Sequence, residues 1–257
     1  MNELIVGMGE IGNALMQVLS RDDTATMFAF DIKDMKFHSV RRDVKYMYQW
    51  KIYYMHVCFP YSDTFEHDVL GYIKRFEPKV VIIHSTVLPG TTAKLQGMAK
   101  IPIVFSPVRG VHQSMVDDLR YYTKYISSIR RRCLDSIRKH FFRAGMSVGI
   151  YRDPTDLEYA KILCDTTYYH VLLAYNQWTH ILAKRHKLDF DELWRFTGEI
   201  HTKLGNRPRM FFDDKGIGGH CVIQNTKLLN SLLDDELLNL LLRINDEVVM
   251  EGENDKT

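Results

Sequence analysis

Gly216, Ile217, Gly218, Gly219, His220 and Cys221 form a run that ends on a thiol. Three glycines in four positions permit positive φ and a close approach of the main chain to a ligand. A cysteine directly after them is presented to a reactant rather than packed. Such a thiol suits nucleophilic catalysis, in which a thiolate adds to a carbonyl carbon. The run alone is equally compatible with a buried structural cysteine, because unpaired Cys is among the most buried residue types. Upstream, Lys161 and Asp165 stand at i and i+4 in a helical pattern and share one face. Read locally they are a surface ion pair; beside a bound alcohol, the ammonium and its polar neighbour would hold the substrate oxygen.

These side chains need a scaffold, and the first thirty residues supply its signature. An apolar strand, Leu4 to Val6, runs into Gly7, Met8, Gly9, Glu10, Ile11 and Gly12, and a helical pattern continues through Leu19. A second strand, Met27 to Phe30, ends in Asp31, 19 residues beyond Gly12. A glycine-rich turn after a strand and before a helix, trailed by an acid at this distance, is the arrangement that binds a dinucleotide. The glycines admit the pyrophosphate, the helix N-terminus offers N–H groups and its dipole, and Asp31 would accept from a ribose 2′-hydroxyl. A carboxylate there would repel a 2′-phosphate, so NAD is expected over NADP.

The alternation continues with strands at 52–59, 80–84 and 103–105 and helices at 63–76 and 91–98. This pattern predicts an α/β fold with a doubly wound parallel sheet whose ligands lie at the carboxyl ends of the strands. Those ends carry Pro60, Tyr61 and Ser62, then Ser85 and Thr86, then Ser106, Pro107, Val108 and Arg109. Two further short strands, 125–128 and 147–151, bracket a basic helix. The sheet domain is expected to span 1–153 and an all-helical domain 154–257. The helical domain opens with a long central helix over 155–186 that would serve as a dimer seam.

Composition bounds the remaining possibilities. The 257 residues are 46% hydrophobic, ample for a core, and the net charge of +2 is spread along the chain apart from Arg130, Arg131 and Arg132. No nucleic-acid partner is indicated. Cys58, Cys133, Cys164 and Cys221 lack the paired spacing of a zinc site or a disulfide framework, so reduced thiols, a cytoplasmic location and no metal are expected. No stretch is long and apolar enough for a signal peptide or a membrane span.

In this order, GMGEIG at 7–12, STVLPGTT at 85–92, SPVRG at 106–110, LEYAKILCD at 157–165 and KGIGGHCVIQN at 215–225 resemble the UDP-glucose and GDP-mannose dehydrogenase family over nearly the whole chain. The resemblance implies NAD-dependent oxidation of a nucleotide-sugar hydroxymethyl group to a carboxylate in two hydride transfers. It implies Cys221 as the nucleophile, through a thiohemiacetal and a thioester, Lys161 as oxyanion stabiliser, and Thr86 positioning a water or the nicotinamide side of the site. It places NAD along Gly7, Gly9, Glu10, Ile11, Gly12 and Asp31, with contacts from Phe59, Pro60, Ser85 and Thr86. The glycine loop, through Gly216, Gly218 and Gly219, would wrap the sugar.

Four departures qualify the resemblance. Val108 stands where the family has a Glu thought to assist thioester hydrolysis. Asp165 replaces the usual Asn, and Asn225 the usual Asp, a paired exchange that conserves one carboxylate and one amide. The family's third domain, which holds the nucleotide, is not in this sequence; Arg207, Arg209 and Phe211 are the candidates for that task. Two alternatives stay open: a single-step hydroxyacid dehydrogenase, which needs no thiol, and a non-catalytic NAD- or sugar-binding homologue or partner of a full-length enzyme.

Overall fold

The computed structural model describes residues 1–32, 37–39, 51–110, 112–204, 216–217 and 221–254. The strands β1 (Asn2–Val6), β2 (Thr26–Phe30), β3 (Phe37–Ser39), β4 (Tyr54–Val57), β5 (Val80–Ile83) and β6 (Ile103–Phe105) form one sheet in the order β3-β2-β1-β4-β5-β6. All neighbours run parallel except β3, which is antiparallel to β2. Strands covered on both faces are apolar without alternation, as in Val80-Val81-Ile82-Ile83, all buried. The order reverses between β1 and β4, and the crevice at that switch point opens beyond the carboxyl ends of the strands.

Helices cover both faces. α1 (Glu10–Leu19), α4 (Met115–Tyr121) and α5 (Leu134–Arg143) pack with Ile5, Tyr54, Ile82 and Val104 on one side. α2 (Phe65–Phe76) and α3 (Thr91–Met98) pack with Leu4, Val6, Met55 and Val57 on the other. Odd positions of β1 and even positions of β4 therefore share the α5 side, as the two-residue period of a strand requires.

The doubly wound sheet is as the sequence predicts. The periodicity did not disclose β3 or α4, both too short to leave a pattern. The last two expected strands, β7 (Lys124–Ile126) and β8 (Val148–Ile150), form a separate parallel pair, and the segment after β7 meets β6 through the Phe105–Ser127 bridge and a 2.7 Å bond from Ser128 Oγ to the Ile103 carbonyl.

The chain divides into two compact units, Met1–Lys161 and Ile162–Thr257. The division falls inside a helical run that opens at Pro154, where Asp153 caps the first turn by accepting from the Thr155 N–H at 2.7 Å. The run comprises α6 (Pro154–Tyr159), a π-helical segment Ala160–Thr167 and α7 (Tyr168–His186). The expected single α-helix is thus interrupted by wider turns, a form often found at functional sites. α8 (Phe190–Leu204), α9 (Val222–Leu233) and α10 (Glu236–Asn254) complete the second unit. His170 of α7 donates to Thr226 Oγ1 of α9 at 2.7 Å, and that hydroxyl donates to the Val222 carbonyl at 2.9 Å. Burial brings the His170 pKa down to about 4, so the ring tying these helices is neutral at pH 7.

Candidate active site

The glycine turn is built as its composition predicts, with a different duty for each glycine. Gly7 has φ +94°, and a Cβ there would lie 2.8 Å from the Phe59 nitrogen, so the turn sits directly on the end of β4. A Cβ on Gly12 would lie 2.0 Å from the Gly7 carbonyl oxygen, which is how α1 comes so close to β1. Among the described residues a Cβ on Gly9 would meet nothing within 4 Å, and this residue caps the N-terminus of α1 without a side chain. The space beside Gly9 is what a pyrophosphate needs. Asp31, at the end of β2, accepts from the Met8 N–H at 2.7 Å, and Asn13 Nδ2 donates to the Met8 carbonyl at 2.7 Å. Glu10 is exposed and Ile11 half-buried on the first turn of α1.

The neighbouring strand ends belong to the same rim. Ser85 donates to the Phe59 carbonyl at 2.5 Å, which ties the segments after β5 and β4 together; Pro60 is exposed and Thr86 half-buried. The rest of STVLPGTT is held from α6. Glu158, fully buried, accepts from the Gly90 N–H at 2.6 Å, the Thr92 N–H at 2.9 Å and the Thr92 hydroxyl at 2.6 Å. A carboxylate on the first turn of α3 satisfies N–H groups that have no partner within the helix.

Val108 is 5% exposed and packs in the sheet core with Cys58 and Met115. The position can neither donate nor accept a proton, as the sequence indicates. Beside it the structure buries an amine that sequence reasoning missed. Lys124 is 3% exposed and donates to the Ser106 carbonyl at 2.7 Å and the Pro107 carbonyl at 3.0 Å. Its signal was a lone cation at the head of an apolar strand. Burial, with Lys161 and Arg109 adding like charge against the opposing pull of Cys58, brings its pKa down to about 7, while burial pushes the Cys58 thiol up to about 12.

This amine has a measurable consequence. Folding depresses the Lys124 pKa from 10.5, so the unfolded chain binds more protons between pH 7 and 10.5 and stability rises with pH. Folding raises the Cys58 pKa from 9.0, so stability from that group is complete below pH 9 and declines above it. Between pH 7 and 9 the rise is uncompensated and amounts to about 2 kcal/mol. Urea melts should show that increase in the wild type and a flat profile in Lys124→Met; parallel profiles would mean that the amine is charged in the folded protein.

In the second unit, Cys221 is exposed and immediately precedes α9, whose dipole and N–H groups favour an anion at that position. Asn225, 9% exposed, lies on the next turn, with its N–H bonded to the Cys221 carbonyl at 2.9 Å. Lys161 closes the first unit and Asp165 lies near the start of the second, both half-buried in the π-helical segment. Gly216 has φ +81° and is buried; a Cβ there would lie 2.6 Å from Val249 Cγ2 and 3.0 Å from Asn245 Oδ1. Asn245 of α10 also accepts from the Ile217 N–H at 2.7 Å, anchoring the start of the loop. Gly216 thus faces α10, and Asn245 is its unforeseen anchor. Arg207, Arg209, Phe211, Gly218 and Gly219 lie outside the described residues.

No protein-family model and no curated protein matches the sequence. Solved structures do match. UDP-D-ManNAc dehydrogenase from Pyrococcus horikoshii superimposes with a TM-score of 0.78 at 17% identity, over 96% of this chain and 69% of that one. A UDP-glucose dehydrogenase from Pyrobaculum islandicum gives 0.70 at 15% identity, over 96% and 68%. The 3-hydroxyisobutyrate dehydrogenase of Mycobacterium tuberculosis gives 0.66 at 12% identity, over 98% and 94%. At such identities the likeness establishes the fold: a Rossmann-type sheet followed by a helical domain, shared with nucleotide-sugar and hydroxyacid dehydrogenases.

Proposed function

We propose that this chain is an NAD-dependent dehydrogenase that oxidises the C6 hydroxymethyl of a nucleotide sugar of the UDP-glucose or GDP-mannose type to a carboxylate. The observation that carries the reading is Cys221, an exposed thiol at the head of α9, in a chain whose fold is that of nucleotide-sugar dehydrogenases.

The residues present suit a dinucleotide. The open space at Gly9, the tight approaches of Gly7 and Gly12, and Asp31 oriented by the Met8 N–H match the demands of pyrophosphate and ribose. Glu10, Ile11, Phe59, Pro60, Ser85 and Thr86 would line the remainder of that site. NAD, when bound, supplies the hydride acceptor. Lys161 would stabilise the alkoxide and then the oxyanion, with Asp165 and Asn225 orienting substrate and thiol. The Cys221 thiolate would add to the aldehyde carbon, forming a C–S bond and leaving charge on oxygen. After the second oxidation the product is a thioester, and water cleaves it to the carboxylate and the thiol. With Val108 in place of a carboxylate, the expected slow step is this hydrolysis. Arg207, Arg209 and Phe211 would bind the nucleotide, and Gly216, Gly218 and Gly219 would close around the sugar.

A homodimer through residues 155–186 belongs to the same reading. Tyr168, Tyr175 and Trp178 of α7 are 59%, 53% and 45% exposed, which supports an apolar contact there. A cytoplasmic location is likewise proposed. No disulfide links the four cysteines, and among the described residues no helix is long and apolar enough to cross a membrane.

The likeness to 3-hydroxyisobutyrate dehydrogenase favours the second reading, a single-step hydroxyacid dehydrogenase. Counting NADH formed per substrate consumed, over a panel of UDP- and GDP-hexoses and simple hydroxyacids, separates the two. Two NADH per nucleotide sugar is the expected result. One per hydroxyacid, with continued turnover, would replace it with the second reading. Dinucleotide binding without NADH from any substrate would leave a non-catalytic module.

A further inference from the structure

The face of the sheet beneath α5 carries a polar cluster that the proposed oxidation does not use. Glu3 of β1, His56 of β4 and His140 of α5 are each 0% exposed, and His84, just after β5, is 1% exposed. The strand period puts Glu3, His56 and His84 on one side of the sheet, and α5 lowers His140 onto them. Tyr54 and Phe141 close the surroundings, with the Tyr54 and His140 rings stacked at 4.9 Å and those of His140 and Phe141 5.4 Å apart.

The rings are oriented alike. His56 Nδ1 lies 2.9 Å from His84 Nε2, and His84 Nδ1 lies 3.0 Å from the Ser106 carbonyl, which only accepts. With neutral rings, His84 Nδ1 carries its hydrogen, His56 Nδ1 donates to His84, and His56 Nε2 turns a lone pair toward Glu3. That nitrogen is 3.2 Å from Glu3 Oε2, a carboxylate oxygen that is itself an acceptor. His140 also approaches Glu3: its Nε2 is 3.0 Å from the same oxygen, and its Nδ1 has Asp22 Oδ2 at 3.8 Å. Despite that 3.0 Å approach, neither His140 nitrogen has a hydrogen-bond partner among the described residues, nor has Glu3 Oε1, so the ring axis runs beside the carboxylate oxygen rather than at it. Orphaned polar atoms in a dry core are costly, and native proteins seldom keep them.

We propose that Glu3, His56 and His140 bind a divalent transition metal ion, with zinc the best match to two imidazoles and a carboxylate. Two Nε2 atoms and the Glu3 oxygens are the donors, Oε1 completing the set as the second oxygen of a bidentate carboxylate. Ligands about 2.0 Å from a tetrahedral ion stand about 3.3 Å apart, close to the separations at Glu3 Oε2. The other nitrogen of His56 is backed by His84, the outer arrangement that fixes a metal-binding tautomer, while Asp22 Oδ2 stands 3.8 Å from His140 Nδ1. Asp22 is in turn held by Arg143 Nε at 2.9 Å and by Thr24 Oγ1 at 2.6 Å. Glu3 brings one negative charge directly to the ion, and that of Asp22 is shared with Arg143. With all three ligands fully buried, the ion enters as the chain folds and ties β1, β4 and α5 together. Cysteine spacing gave no sign of a metal; this ligand set is distributed over strands and a helix far apart in the chain. The site stands independently of the dehydrogenase reading.

The test uses the full chain without a histidine tag, unfolded, stripped with chelator and refolded with Zn²⁺ or Co²⁺. One equivalent of metal per chain and a higher melting temperature than the metal-free refolded protein are expected. The Co²⁺ form should show the visible bands of a tetrahedral nitrogen and oxygen site. Glu3→Gln, which preserves shape and can donate a hydrogen bond to His56, should lose both the metal and the metal-dependent rise in melting temperature. His84→Asn should weaken metal binding about 10- to 100-fold by removing only the outer partner. The proposal is overturned if the wild type refolds equally stable with and without metal and retains none, since the cluster is then bridged by a proton. A thiolate-to-Co²⁺ band in the near ultraviolet overturns it equally, by placing the ion on a cysteine.

Discussion

The Gly12→Ala variant is expected to lose measurable dinucleotide binding and to fold with markedly reduced stability. Its Cβ would stand 2.0 Å from the Gly7 carbonyl oxygen, a main-chain atom that cannot rotate away. Relief requires α1 to separate from the turn, and overpacking of this kind costs about 1–3 kcal/mol or more. The displacement also turns the N–H groups of α1 away from the space beside Gly9, so affinity falls with stability. Gly9→Ala supplies the contrast. With nothing within 4 Å of its Cβ, it should melt within about 1 kcal/mol of the wild type, the difference reflecting a poorer N-cap. The same methyl group would occupy the space assigned to pyrophosphate, so affinity should fall at least about tenfold, or about 1.4 kcal/mol. Isothermal titration with NAD and thermal melts on both variants decide the matter. If Gly9→Ala binds as the wild type does, the turn is structural and the dinucleotide site lies elsewhere.

The Cys221→Ala variant is expected to stop oxidation at the first hydride. The thiol is exposed ahead of α9, and its removal leaves the core of the second unit untouched, so fold and NAD affinity should be retained. Formation of carboxylate from the nucleotide sugar should fall at least about a thousand-fold, as when a covalent nucleophile is deleted. Any NADH released should be matched by aldehyde. Mass spectrometry of the wild type under single turnover should find an acyl adduct on Cys221, prolonged by Val108 occupying the position of a carboxylate. Full activity in Cys221→Ala would remove the thioester route and move the chain to the hydroxyacid class.

Much of this architecture is legible in the residues. The turn from Gly7 to Gly12, the acid at Asp31 and the alternation of apolar runs each reflect a local requirement: positive φ, an N-terminus for an anion, a two-residue period. Such requirements act over a few residues, so they leave a mark at fixed spacing. The long helix after Asp153 was visible for the same reason, while its π-helical segment was not, because fewer than two turns are too short to fix a period. Cys221, Lys161, Asp165 and Asn225 stand out in the sequence as candidates for chemistry, yet no spacing states that Cys221 caps α9 or that Gly216 is held by Asn245.

What only the tertiary structure decided concerns groups whose meaning depends on burial. Lys124 reads as an ordinary lysine until the sheet and the loop after β6 enclose it, and enclosure is the main cause of its shifted proton equilibrium. Glu3, His56, His84 and His140 are scattered in sequence; strand register and one helix bring them together in a dry core. The sequence by itself determined the longer strands and helices and the glycine-rich turn, because steric and dihedral preferences are local. The tertiary structure determined which polar groups leave water and which partners they then face, because desolvation and convergence are properties of the packed chain.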